Sequence, residues 1–128
     1  MYNGFSAERS ERQLNKYRAK KSDCCQGHLH DSKKEAYRCD LLHILQKYGK
    51  ISDLQIQVKF ELVPAQKFQN MPNERAVTYI ADFVYTENGL TIIEDTKGVK
   101  TKDYIIKRKL LKQKFCQDGK TVFREVTR

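Results

Sequence analysis

The first regular pattern along the chain is helical. Apolar residues recur at helical spacing, and we interpret them as the buried stripe of a helix over about residues 32–48. Ser32 and Glu35 are three residues apart and form a capping box that satisfies backbone N–H groups at the helix start, and Gly49 is a suitable residue to end it. The predicted stripe comprises Tyr37, Leu41, Leu42, Ile44, Leu45 and Tyr48.

The pattern then changes to strict alternation. Apolar side chains fall on one side and polar ones on the other, which predicts a half-buried strand. The stretch from Pro64 to Asn73 carries both prolines and reads as a connecting loop. The predicted apolar side is Leu54, Ile56, Val58, Phe60 and Leu62, and the polar side is Gln55, Gln57, Lys59 and Glu61.

Two further apolar runs predict a hairpin. They extend from Val77 to Thr86 and from Leu90 to Thr96, and between them Asn88-Gly89 is well suited to the positive φ angles of a type I′ turn. Both runs are apolar on both faces. This indicates central strands of a covered sheet.

The last part of the chain predicts a helix and a strand. Thr101 can cap a helix that extends to about Gln117, and residues 122–126 form a short strand. A strand, a helix and a strand joined by short loops make a right-handed crossover with parallel strands. We therefore predict an α/β fold with the order α-β-β-β-α-β and a mixed central sheet flanked by helices.

Length and charge narrow the class of protein. The 128 residues fit one domain, and 25 Lys+Arg against 16 Asp+Glu give a net charge of +9, which favours an anionic partner such as DNA. Residues 1–22 read as a basic arm and 23–128 as a single domain; a solvated tail is the alternative for the arm. No apolar run could span a membrane and no secretory h-region is present, so we expect a soluble cytoplasmic protein with reduced cysteines.

A second cluster of reactive residues precedes the first helix. Cys24 and Cys25 are followed by His28 and His30, residue types that bind zinc. Their spacing does not match familiar zinc knuckles. We interpret Gln26-Gly27 instead as a turn leading into the helix.

The hairpin brings two acids face to face. If Asn88 and Gly89 are the turn residues, Asp82 lies opposite Asp95, although both are flanked by apolar neighbours. Two buried carboxylates require a positive charge. Lys97 supplies one, and a divalent cation such as Mg²⁺ would complete the compensation. By the same parity Glu94 points to the opposite face and is excluded.

The remaining acid near this group is Glu35, which lies beside the apolar stripe of the first helix. It either overhangs the sheet as part of the site or serves only in the capping box. A buried salt-bridge cluster is the structural alternative for Asp82, Asp95 and Lys97.

Through Glu35, Asp82 and the stretch Asp95-Thr96-Lys97, the chain resembles the PD-(D/E)xK nuclease superfamily. The resemblance covers about residues 32–126 and implies a restriction-endonuclease-like core. The chain looks most similar to a small group of phage and prophage proteins and, in plan, to Holliday junction resolvases. Ala81 occupies the position of the motif's proline. The matching stretches are KYRAKK, DSKKEA, ISDLQIQVKFEL, TYIADFVY and EDTKG.

The resemblance implies a role for each site residue. Asp82, Asp95 and the Thr96 carbonyl would bind Mg²⁺ or Mn²⁺, Glu35 would join through a metal-bound water, and Lys97 would orient or activate the attacking water. The implied function is a metal-dependent DNA endonuclease, encoded by a phage or prophage and acting on branched or duplex DNA. The alternatives are a non-catalytic nucleic-acid-binding protein and an accessory subunit that keeps the fold.

Basic residues near the acids predict a DNA-binding surface. They would hold the phosphate backbone and confer little sequence selectivity. A resolvase-like activity would call for a homodimer, because two symmetric strands require two active centres. The candidates are Lys100, Lys102, Lys107, Arg108 and Lys112, with Arg18, Lys20 and Lys21 in the arm; Lys109 and Lys114 share the helix.

Overall fold

The computed structural model describes residues 22–23, 29–30, 33–96 and 100–126. A short antiparallel pair comes first and a larger α/β unit follows. In chain order the elements are β1 Ser22–Asp23, β2 Leu29–His30, α1 Lys33–Lys47, β3 Ser52–Val63, β4 Val77–Glu87, β5 Leu90–Thr96, α2 Lys102–Phe115 and β6 Thr121–Val126.

The structure confirms the predicted α/β class and the predicted order of helices and strands. The four strands of the main sheet lie in the order β3-β4-β5-β6, with β3, β4 and β5 antiparallel and β6 parallel to β5. The parallel pair arises from the crossover through α2. The hairpin strands β4 and β5 are the central strands, as their two-sided apolar pattern predicted, and the sheet is mixed.

The hairpin turn sets the register of those two strands. Asn88 and Gly89 both have positive φ, at 53° and 79°, as a type I′ turn requires. The pairing runs from Glu87 with Leu90 to Phe83 with Glu94, which is the predicted register.

Helix α1 is confirmed in its bounds, but only Leu42 and Leu45 of its predicted buried stripe pack in the core. Its C-terminus is a Schellman motif, in which Lys50 N–H donates to Leu45 O (2.8 Å) and Gly49 N–H to Gln46 O (3.0 Å). The residues that are buried in the core are Ala36, Cys39 and Leu42.

Three members of the predicted stripe are exposed instead. Tyr37, Ile44 and Tyr48 lie on the solvent side of α1, with Leu41 between them. At about 3.6 residues per turn they stand nearly opposite Cys39 and its neighbours. The helix therefore carries two apolar stripes on opposite sides. It buries the stripe with the smaller side chains, Ala36, Cys39 and Leu42.

Strand β3 has the predicted position, but its alternation is interrupted. Leu54 and Ile56 pack with α1, whereas Val58 packs two residues later in the cluster around α2. Gln57 between them has φ +57°. The single continuous apolar face predicted for Leu54 to Leu62 is therefore wrong, because the backbone changes its pleat at this residue.

Strand β4 changes sides at the same level. Ala81 packs in the cluster around α2, whereas Phe83 packs in the cluster around α1. Their partners on β3 divide in the same way, since Val58 pairs with Ala81 and Ile56 pairs with Phe83. Residue 57 and residue 82 form no pair in this register. The sheet is thus irregular where Asp82 projects from it.

Helix α2 starts as predicted and ends two residues before the predicted Gln117. Thr101 is its N-cap, and its hydroxyl accepts a hydrogen bond from Tyr104 N–H (3.2 Å). Tyr104 and Leu111 are buried against the sheet, and Phe115 packs beside them.

The short strands β1 and β2 are antiparallel, so the chain reverses direction between them. The turn predicted at Gln26-Gly27, the capping role of Ser32, and Cys24, Cys25 and His28 lie outside the described residues. Within the described part, neither Cys39 nor Cys116 forms a disulfide. No described helix is long and apolar enough to cross a membrane.

The hairpin turn allows a test of the register. Gly89→Ala should lower the free energy of unfolding by about 1 kcal/mol, because an L side chain at φ +79° is strained. Asn88→Gly is the matched control and should cost nothing at its φ of +53°. Urea denaturation measures both, and equal effects of the two substitutions would contradict the turn assignment.

Candidate active site

The register brings Asp82 and Asp95 together, as predicted. They lie one residue beyond the antiparallel pair of Phe83 and Glu94, and their carboxyl groups are close enough to interact. Asp82 Oδ2 also accepts a hydrogen bond from the Thr96 backbone N–H (2.8 Å). Asp95 is only 2% exposed, and Asp82 beside it is half-buried.

Glu35 joins this pair from above the sheet. It is 5% exposed in the first turn of α1, and its charge acts on Asp82. Its Oε2 accepts a hydrogen bond from Gln57 Nε2 (2.8 Å). Glu35 therefore lies beside Asp82, in the overhanging one of its two predicted roles, while its capping-box partner Ser32 lies outside the described residues. Gln57, which borders the site, holds it from the irregular point of β3.

The proximity of these acids changes their chemistry. Burial, followed by the charges of Glu35 and Asp95, raises the pKa of Asp82 well above its ordinary value of 3.8. The Thr96 N–H opposes the shift by stabilising the charged form. The raised pKa means that Asp82 keeps its proton to a higher pH than an exposed aspartate does.

The donor set fits a hard divalent cation. No three His, Cys, Asp or Glu side chains of the described residues stand in an arrangement that would hold a metal by themselves. Mg²⁺ does not need such a cage, since one or two carboxylates with substrate phosphate and water usually hold it. Asp82 and Asp95 supply two carboxyl groups, and a cation would offset both the burial and the neighbouring charges that raise the pKa of Asp82.

Glu94 is kept apart from this group, as parity predicted. It is fully buried, pairs with Phe83 across the hairpin, and forms a two-point ion pair with Arg38, through Nε (2.5 Å) and Nη2 (2.9 Å). The Tyr85 hydroxyl also donates to it (2.5 Å). Arg38 lies one turn after Glu35 in α1, so this pair fastens the helix to the strand that carries Asp95.

A further acid, Glu125 of β6, lies beside the site. It pairs in register with Asp95 and accepts hydrogen bonds from the hydroxyl of Tyr104 and from Arg108 Nη1 (2.9 Å). Burial alone would raise its pKa, but the hydrogen bonds from Tyr104, Arg108 and Lys100 lower the pKa of Glu125 to about 2. It therefore stays ionised and holds α2 against β6.

The predicted DNA-binding residues of α2 have different surroundings. Lys100 Nζ (3.3 Å) and Arg108 pair with Glu125, so their charges are partly compensated. Lys112 lies over the ring of Phe123, and Lys107 and Lys102 border the solvent. Lys97, Arg18, Lys20 and Lys21 lie outside the described residues.

Sequence reasoning missed two residues that shape the site, Arg38 and Glu125, and for Gln57 it left a place at the border of the site and a solvated face equally open. The role of Gln57 depends on a positive φ that strand alternation conceals. Arg38 and Glu125 act through partners 56 and 17 residues away, respectively. The sequence gives one indirect signal of the Arg38 contact. Glu94 is a charged residue in a strand that is apolar on both faces, so it requires a buried partner.

Residues 14–127 match the family described as "Protein of unknown function (DUF1064)". The chain belongs to this family. No curated protein and no solved structure matches the chain. The function of this DUF1064 member is therefore inferred from the arrangement of its side chains.

The raised pKa of Asp82 predicts that ionising this carboxyl group lowers the stability of the folded protein. Asp82→Asn, which cannot ionise, should remove that cost. Above pH 3.8 the folded protein binds more protons at this site than the unfolded chain, so the metal-free protein loses stability as pH rises toward the raised pKa. Asp82→Asn should raise the free energy of unfolding near neutral pH by about 0.5–2 kcal/mol.

Urea denaturation in EDTA at acidic and at neutral pH measures this effect. The amide of Asn can still accept the Thr96 N–H and donate to Asp95. Glu61→Gln, an exposed change on β3, is the control and should leave stability unchanged. A destabilised Asp82→Asn protein near neutral pH would show that the ionised aspartate is satisfied without a cation.

Substitution of either partner of the Arg38–Glu94 pair should lower the free energy of unfolding, but by unequal amounts. Arg38→Met leaves Glu94 buried without its cation and should cost about 3–5 kcal/mol of unfolding free energy. Glu94→Gln should cost less, because the Arg38 side chain retains 19% exposure and can reach water. Denaturation of both single variants and the double variant measures this; a double variant no more stable than Arg38→Met would contradict it.

Proposed function

We propose that this DUF1064 member is a metal-dependent DNA endonuclease of the PD-(D/E)xK type that hydrolyses phosphodiester bonds. The observation that carries the proposal is the convergence of Glu35, Asp82 and Asp95, with the pKa of Asp82 raised by burial and then by the charges of the other two acids. A protein gains nothing in stability from crowding buried acids. A cation-binding role accounts for the arrangement.

The proposed cofactor is Mg²⁺ or Mn²⁺. Asp82, Asp95 and the Thr96 carbonyl would hold it, with Glu35 through water. The ion would neutralise phosphate charge and make water a better nucleophile, which a negatively charged phosphodiester needs. Within the chain, Gln57 positions Glu35 and the Thr96 N–H positions Asp82. Lys97 would orient the attacking water.

The net charge of +9 supports a nucleic-acid substrate. Lys102, Lys107 and Lys112 of α2 would contact the phosphate backbone, joined by the basic residues of the arm. We propose further that the enzyme acts in the cytoplasm of a bacterial host, encoded by a phage or prophage. As a homodimer it would cut two strands of branched DNA.

A cleavage assay tests the proposal. Purified protein with Mg²⁺ or Mn²⁺ should cut at least one of a four-way junction, its sequence as plain duplex, and single-stranded DNA, and EDTA should stop the reaction. Asp82→Ala and Asp95→Ala should each lower the rate at least about a hundredfold, since even outer-shell groups of metal sites are worth about 10- to 100-fold.

Glu61→Gln is the matched acidic control and should retain full activity, because Glu61 is exposed on β3 away from the acids. Isothermal titration with Mg²⁺ gives a second readout. No cleavage of any substrate, together with no metal binding, would favour the non-catalytic nucleic-acid-binding alternative.

A further inference from the structure

A cleft of about 510 Å³ opens between α1 and the ends of two parallel strands. Side chains between Lys33 and Leu41 form one wall, and Thr96 and Val126, the last residues of β5 and β6, form the other. Open α/β sheets bind ligands beyond the carboxyl ends of parallel strands. The volume is in the range of small-ligand pockets.

The cleft adjoins the proposed active site. Thr96 lines it, and the backbone N–H of the same residue donates to Asp82 Oδ2. A ligand in the cleft would therefore lie next to the reacting phosphate. A larger cavity, of about 720 Å³ beside α2, is lined by none of the three acids.

The charge of the cleft favours an anion. Lys33 and Lys34 occupy the first turn of α1, where the helix dipole disfavours cations. Neither lysine pairs with a carboxylate among the described residues. Arg38 also lines the cleft, but its charge is compensated by Glu94. Two lysines therefore remain to bind a phosphate.

Tyr37 supplies an aromatic surface beside these lysines. Its side chain is 73% exposed although it lines the cleft, so folding has left most of the ring available. Leu41 and Val126 add apolar surface. An exposed ring next to cations is the combination that binds single-stranded nucleic acid, because bases stack on the ring while phosphates meet the charges.

We propose that this cleft binds one nucleotide of the substrate strand adjacent to the bond that is cut. Its phosphate lies on Lys33 and Lys34, and its base stacks against Tyr37. The nucleotide must leave the duplex stack to reach the ring, so the site favours DNA that is branched, frayed or single-stranded. The inference rests on the proposed nuclease function and specifies its substrate.

Fluorescence anisotropy with a labelled single-stranded oligodeoxynucleotide in EDTA tests binding without hydrolysis. Tyr37→Ala should weaken binding about five- to a hundredfold, the range for loss of one stacked base. Lys33→Ala/Lys34→Ala should weaken it and lower the slope of log K against log salt by about 1.4, at about 0.7 per phosphate contact.

The same helix offers matched controls away from the cleft. Tyr48 is 70% exposed, and Lys47 and Lys50 are exposed lysines at the other end of α1. Tyr48→Ala and Lys47→Ala/Lys50→Ala should bind like the wild type. An oligonucleotide of abasic units should bind wild type and Tyr37→Ala equally, because it has no base to stack.

The outcomes separate this inference from the proposed function. If the wild type cuts DNA while the cleft variants bind like the controls, the cleft assignment is wrong and the nuclease stands. If only the lysine variant weakens binding, the cleft holds backbone phosphate and the nucleotide assignment is wrong. If the wild type neither binds nor cuts nucleic acid, both proposals fail.

Discussion

The crowding of carboxyl groups between β4, β5 and α1 is the constraint on which the rest of the structure depends. Burial and the charges of Glu35 and Asp95 raise the pKa of Asp82, and such an arrangement costs stability unless a cation or a proton compensates it. The surrounding structure holds the acids in place despite that cost. The turn at Asn88-Gly89 fixes their register, and the ion pair between Arg38 and Glu94 fastens α1 above them.

Two local irregularities accompany this arrangement. The positive φ of Gln57 and the change of pleat at Ala81 to Phe83 interrupt the sheet where Asp82 projects. Non-glycine residues with positive φ are costly and persist where surrounding structure enforces them. Here the strained residue donates its side-chain amide to Glu35, so the interruption has a use at the site.

The polar groups of the fold fall into two sets with different chemistry. Glu94 and Glu125 are each matched by cations and tyrosine hydroxyls, and they join helices to the sheet. Asp82 and Asp95 instead lie beside each other, with Glu35, the hydroxyl of Tyr79 and a backbone N–H as neighbours among the described residues. Glu94 and Glu125 are thus matched by cations within the described residues. For the acids of the candidate site, the proposed metal ion would supply the compensating charge.

The sequence by itself determined the elements, their order and the opposition of Asp82 and Asp95. These follow from short-range rules: alternation, helix caps, and a two-residue turn that fixes which residues meet across a hairpin. It did not determine which of two apolar stripes α1 buries, or that β3 breaks its alternation at Gln57. Periodicity measures how apolar a face is, whereas burial depends on the element that packs against it.

Only the tertiary structure decided which charges are matched. Arg38 meets Glu94, and Arg108 meets Glu125, across separations in the chain that carry no local signal. The cleft between Tyr37 and the ends of β5 and β6 likewise exists only after the crossover brings those strands beside α1. Local patterns specify backbone pairing because hydrogen bonds repeat along a strand, while ion pairs and cavities depend on how whole elements pack together.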